Sequence, residues 1–201
     1  MKLYLSPGAC SLAPHIVLLA SGLPHVTEHV NLRTKQTDSG EDFRAINPKG
    51  QVPALVLADG RVLTEGQVIL QYLADQAPGS ALAPACGSFE RYQLMEWLAY
   101  LSTELHKRFS PLFAPGASDA AREAAWAGLA GPLTHVANSI DPAGYLIGAG
   151  FTVADAYLFT ILGWVGFAKF SLDDWPALQA YQERVGSLPA VREALRHEGL
   201  T

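Results

Sequence analysis

Cysteine is scarce: Cys10 and Cys86 are the only two in 201 residues. That is too few for a disulfide framework or a cysteine-rich zinc site. Charge is sparse too, with 14 Lys and Arg against 19 Asp and Glu, a net −5. So acidic a balance gives no broad basic footprint for nucleic acid. Disorder is excluded by a composition that is 49% hydrophobic and 16% charged, since disorder needs the reverse. A signal-peptide core is missing, because Met1-Lys2-Leu3-Tyr4-Leu5 is broken at once by Ser6-Pro7-Gly8. The one long apolar run, Phe151 to Phe170, contains Asp155 and Lys169, which are costly in a bilayer. A buried core helix is expected there, and no membrane association. His15, His25, His29, His135 and His197 show no ligand spacing with cysteine or acidic partners, so no metal is expected. The expectation is a cytoplasmic protein large enough to bury a core without staples.

What is present falls into two unlike halves. Lys2–Leu5 reads as a strand, broken by Ser6-Pro7-Gly8-Ala9, and Leu12–Ser21 as a helix stopped by Gly22. Pro14 is tolerated only in a first turn, so that helix begins near Cys10–Ala13. Val26–Leu32 is a second strand, completing a β-α-β unit. Arg33–Ala45 is polar, a loop or a short helix. Val52–Leu57 and Arg61–Leu63 are strands joined by an Asp59-Gly60 turn, and Thr64-Glu65-Gly66 opens another helix. Residues 78–87 read as a linker. Beyond it only helices are expected, at Phe89–Phe109, Asp119–Asn138, Thr152–Lys169, Pro176–Val185 and Leu188–Arg196.

Several residues could carry chemistry. Cys10 stands between strand and helix, where the helix dipole lowers a thiol's pKa and makes it a better nucleophile. The fourth position of Cys10-Ser11-Leu12-Ala13 is alanine, so a Cys-x-x-Cys dithiol cycle is unavailable. Single-thiol chemistry remains: a mixed disulfide with an external thiol, or help in activating a bound one. Ser11 and Tyr4 offer hydroxyls near the same turn. Val52-Pro53 suits an edge strand or a cis bond whose backbone is free to pair with a ligand. Glu65 could stand in a helix's first turn behind a Thr64 N-cap, where its charge suits the dipole, or grip an ammonium, with Gly66 letting a carboxylate reach the backbone N–H groups. At α-helical spacing Thr103, His106 and Lys107 share one face, fit to orient or protonate an anion. Thr152 and Asp155 form a capping box, a structural signal.

In this order the pieces resemble a glutathione transferase, most closely the bacterial beta class. The resemblance is carried by Met1–Ser11, Asn47-Pro-Lys-Gly-Gln-Val-Pro53-Ala-Leu, Leu63-Thr-Glu65-Gly66, Thr103-Glu-Leu-His106-Lys107 and Phe151-Thr-Val-Ala-Asp155-Ala-Tyr-Leu. It implies an α/β thioredoxin-like N-terminal domain (1–77) followed by an all-α helical-bundle domain (88–201). It also implies a homodimer, with glutathione as co-substrate, no permanently bound cofactor, and a hydrophobic electrophile in a cleft between domains. By resemblance Cys10 and His106 are catalytic. Glutathione falls to Cys10, Ser11, Lys35, Val52, cis-Pro53, Glu65, Gly66, Thr103, His106 and Lys107. Ala99 stands where this class often carries Asn, so one amide contact is missing. Phe113, Trp164 and Phe167 are candidates for the apolar cleft, with core packing the expected role of each. The activity implied is conjugation of glutathione to electrophiles. A mainly thiol-disulfide reductase and a non-catalytic ligand-binding protein on the same fold are the competing readings.

Overall fold

Strand β1 (Lys2–Leu5) runs down the middle of a five-stranded sheet. The computed structural model describes Met1–Thr201 throughout. β1 pairs in parallel with β2 (Val26–Asn31) and antiparallel with β4 (Ala54–Val56). A parallel pair needs a crossover, and α1 (Leu12–Ser21) supplies it, ending at left-handed Gly22 as expected. β5 (Val62–Thr64) pairs with β4, and the two-residue β3 (Gln36–Thr37) edges β2. The polar stretch therefore holds both a short strand and a short helix, α2 (Phe43–Ile46). Leu3, Tyr4 and Leu5 are all buried, so the sheet is covered on both faces. Tyr4 packs with Val30, Phe43, Val52 and Ala54, while α1 and α3 (Gly66–Gln76) pack together.

The chain forms two compact units, and the division differs from the expected one. The first comprises Met1–Ala83 together with Ser187–Thr201, and the second Pro84–Gly186. The last helix, α10 (Pro189–His197), packs on α1 rather than joining the helical half. Buried His15 on α1 bonds the Glu198 carboxylate at 2.8 Å, and Glu198 also accepts from the Gly8 N–H at 2.9 Å. No sequence period announces such a pairing between residues so far apart.

In the second unit α4 (Phe89–Tyr100) runs into a π-helical segment, Leu101–His106. It continues through α5 (Lys107–Phe109) to a 3₁₀ turn at Ser110–Phe113. The helix expected at Asp119–Asn138 is two helices, α6 (Asp119–Ala127) and α7 (Ala130–Ser139). Pro132 explains the break: its ring clashes with the carbonyl four residues back, at Gly128. α8 (Val153–Phe167) is the apolar run, buried along most of its length, and α9 (Pro176–Gly186) packs on it. At the start of α8 the Thr152 N–H and hydroxyl both donate to Asp155 at 2.8 Å. The Leu146 N–H and the Tyr181 hydroxyl donate to the same buried carboxylate at 2.8 and 3.0 Å. No helix is long and apolar enough to cross a membrane.

Candidate functional site

In the first unit the site grows from the turn between β1 and α1. The Ala9 N–H donates to the Ser6 carbonyl at 3.0 Å, and the Leu12 N–H to the Ala9 carbonyl at 2.9 Å. Ser11, fully buried, caps this turn from within: its hydroxyl accepts from the Ser6 N–H at 3.0 Å and donates to the Ser6 carbonyl at 3.3 Å. The Ser11 side chain is thus engaged in folding the loop. Cys10 is left half-buried immediately before α1, its thiol donating to the Val52 carbonyl at 3.3 Å. The Val52–Pro53 bond is cis. Pro53 lies against Gly66, whose missing side chain would sit 3.8 Å from the proline ring.

Glu65 occupies the cap position of α3, not the first turn behind a Thr64 cap. Its φ is +68°, a backbone state rare for a residue with a side chain. No side chain caps α3; the Val68 N–H donates to the Glu65 carbonyl at 3.0 Å, and those of Gly66 and Gln67 are left open to an anion. The Glu65 carboxylate accepts from the Lys49 ammonium at 2.5 Å, and the Thr64 hydroxyl accepts from the same ammonium at 2.9 Å. Lys35 also has a left-handed backbone, φ +62°. Its ammonium donates to the Gly50 carbonyl at 2.8 Å. Lys49 was not among the expected site residues. Its signal in the sequence is only a turn, Asn47-Pro48-Lys49-Gly50, and the partner becomes visible once β4 and β5 pair.

The second unit holds Thr103, His106 and Lys107, but not on one face. Thr103 and Lys107 are exposed, while the wider π turn carries His106 inward. The Thr103 hydroxyl turns back to the Ala99 carbonyl at 3.2 Å. His106 Nδ1 lies 2.7 Å from the Tyr157 hydroxyl, and its ring meets Trp164 edge-on with centroids 4.8 Å apart. Burial, aided by the Lys107 charge, pushes the imidazole from 6.5 down to about 4. At neutral pH His106 is therefore an uncharged hydrogen-bonding group rather than a cation. Phe113 stands edge-on to Trp164 at 6.5 Å. Trp164 is buried, as core packing requires, but Phe113 and Phe167 are 47% and 60% exposed and are not core residues.

Comparison with known proteins places both halves. Residues 8–76 match the family model for the glutathione S-transferase N-terminal domain, and residues 119–184 that for the C-terminal domain. The chain is 44% identical to the glutathione S-transferase GstA of Escherichia coli O157:H7 and covers the whole of both chains. Among solved structures it is similar to a ternary complex of BphK, a bacterial GST, with 54% identity, a TM-score of 0.96 and full coverage of both chains. It is also similar to a beta class enzyme from Sphingomonas chungbukensis, at 45% identity and a TM-score of 0.95 over the whole of each chain. A sphingomonad glutathione S-transferase complexed with glutathione matches at 46% identity and a TM-score of 0.95, again over the whole of each chain.

Proposed function

This chain belongs to the glutathione S-transferase family, and on that premise we propose that it conjugates reduced glutathione to hydrophobic electrophiles. The observation that carries the reading is the grouping around α3 and the Cys10 turn. One small surface offers a thiol, the Val52 backbone, the Glu65 carboxylate paired only with exposed Lys49, and an uncapped helix N-terminus. Glutathione carries the matching set: a thiol, a peptide, an ammonium and two carboxylates. The γ-glutamyl carboxylate would sit at the Gly66 N–H and its ammonium on Glu65. Val52 would pair with the cysteinyl peptide, bringing the sulfur toward Cys10. Lys35, bonded to one carbonyl, keeps donors for the glycyl end. The thiol gives up its proton, the thiolate attacks the electrophilic carbon, a C–S bond forms and the leaving group departs with its electron pair.

The second unit supports the electrophile's side of this reading. Phe113 gives exposed apolar surface edge-on to Trp164, which borders a neutral His106. A chloro-aromatic would stack there, and an uncharged imidazole would donate or accept a proton without attracting bulk anions. Exposed Phe89, Tyr92 and Met95 recur at three-residue steps along α4, the kind of stripe that a homodimer buries. Cys10 and Cys86, neither of them in a disulfide, fit a reducing cytoplasm.

A second reading, thiol transfer at Cys10, is favoured by one observation: the thiol is only half-buried and has no second cysteine in its turn. Binding to immobilised glutathione, followed by a panel of aryl halides and hydroxyethyl disulfide, tests both. Cys10→Ala is expected to abolish disulfide turnover. Conjugation that survives it makes Cys10 a redox residue, and conjugation lost with it makes Cys10 the activator. Failure to bind glutathione would sink both.

A further inference from the structure

The Lys49–Glu65 pair sits on the carboxylate assigned above to the ligand's ammonium. Lys49 is held there by its turn. Buried Asn47 accepts from the Lys49 N–H at 3.2 Å and donates to the Gln51 carbonyl at 2.6 Å. The Gly50 N–H closes on the Asn47 carbonyl at 2.8 Å. Left-handed Gly50 (φ +62°) completes the bend, and Lys35 clamps its carbonyl from the other side. The rigid turn thus delivers one ammonium to Glu65, 2.5 Å away, steadied by the Thr64 hydroxyl at 2.9 Å. A carboxylate gripping a primary ammonium with a neighbouring hydroxyl is the arrangement an amino-acid ligand would demand. We infer that Lys49 stands in for the γ-glutamyl ammonium in the ligand-free protein and is displaced by it. Lys49 is then a specificity-determining residue: it keeps Glu65 aimed and satisfied, and it lowers affinity for amine-bearing ligands by competing with them.

The inference rests on Glu65 being the ammonium grip, and the test separates the two claims. Affinities of the full-length protein for glutathione and for its desamino analogue, γ-glutaryl-cysteinyl-glycine, are measured by calorimetry. Their ratio reports selectivity for the ammonium and cancels any general effect of charge on the shared carboxylates. In Lys49→Met the ratio should rise about threefold or more, the scale of an exposed ion pair, because only glutathione has to break the pair. Thr64→Val, which loosens Lys49 without changing the charge, should raise it in the same direction. Both positions are at least partly exposed, and unchanged thermal unfolding confirms that the variants are folded. A ratio unmoved by Lys49→Met while Glu65→Gln still collapses it would overturn the role of Lys49 alone. A ratio unmoved by either substitution would overturn the assignment of Glu65, and the competition with it. Equal weakening of both ligands by Lys49→Met would make Lys49 a direct contact and refute displacement.

Discussion

The Tyr157 hydroxyl lies 2.7 Å from His106 Nδ1. Tyr157 is buried on α8, so a rigid core helix orients a ring on the π-helical segment. That hydrogen bond engages Nδ1 and orients the ring, leaving the other ring nitrogen for chemistry. Tyr157 is therefore a positioning residue for the proposed reaction. Tyr157→Phe keeps the ring and removes the bond. It should lower kcat for aryl-halide conjugation about fivefold, the scale of one neutral hydrogen bond. KM for glutathione should stay within about twofold, and a kcat equal to that of the unaltered protein would reject the role.

Acid should destabilise the fold in two separable steps. His106 titrates at about 4 instead of 6.5, so the fold favours its neutral form. The unfolded chain takes up the proton first as pH falls. His106 thus contributes fully above 6.5, and that contribution, on the order of 3 kcal/mol at most, is lost on the way down to about 4. Burial opposes charge on Glu28, but hydrogen bonds from Lys2, Ser39 and Thr37 outweigh it and hold the carboxyl at about 2 rather than 4.5. Its contribution is full above 4.5 and fades toward about 2. Burial raises Asp155, so its protonation partly offsets these losses. Urea unfolding across this range should show His106→Asn flattening the upper window and Glu28→Gln the lower. Parallel pH profiles for all three proteins would contradict this assignment.

The backbone at Glu65 is strained, and the proposed function gives that strain a reason. A non-glycine residue at φ +68° costs about 1 kcal/mol or more, which glycine would not. The Lys49 pair lost with it is about half-exposed on both sides and is worth little. Glu65→Gly should raise unfolding stability in urea by about 1 kcal/mol while weakening glutathione binding more than tenfold. Loss of both stability and binding would place Glu65 in the fold rather than the site.

Phe113 should matter to the electrophile and not to the fold. It is 47% exposed, so Phe113→Ala should change stability by no more than about 0.5 kcal/mol. KM for a chloro-aromatic should rise about threefold while KM for glutathione holds. An unchanged KM for the aromatic would remove Phe113 from the binding surface.

Local signals were the legible ones. Pro14 and Gly22 fixed the limits of α1 because each obeys a strict backbone rule, and Thr152 with Asp155 marked the start of α8. Cys10, Val52, Glu65 and His106 stood out by type and position, and the structure sets Cys10 against Val52 and His106 against Tyr157; their roles are what the resemblance implies. What escaped depends on partners distant in sequence. Lys49 meets Glu65 only through the β4–β5 hairpin, and α10 leaves the helical half because His15 and Glu198 bond across nearly the whole chain. The π segment escaped because its residues fit an α-helical pattern equally well. The burial of His106 reversed an expectation, since an apparent basic helix face holds an uncharged ring.

The central claim is most directly tested by the initial rate of S-(dinitrophenyl)glutathione formation from glutathione and chloro-dinitrobenzene. The account predicts turnover that saturates with glutathione and whose half-saturation rises more than tenfold in Glu65→Gln. A rate no greater than the uncatalysed one, or saturation indifferent to Glu65, would contradict it.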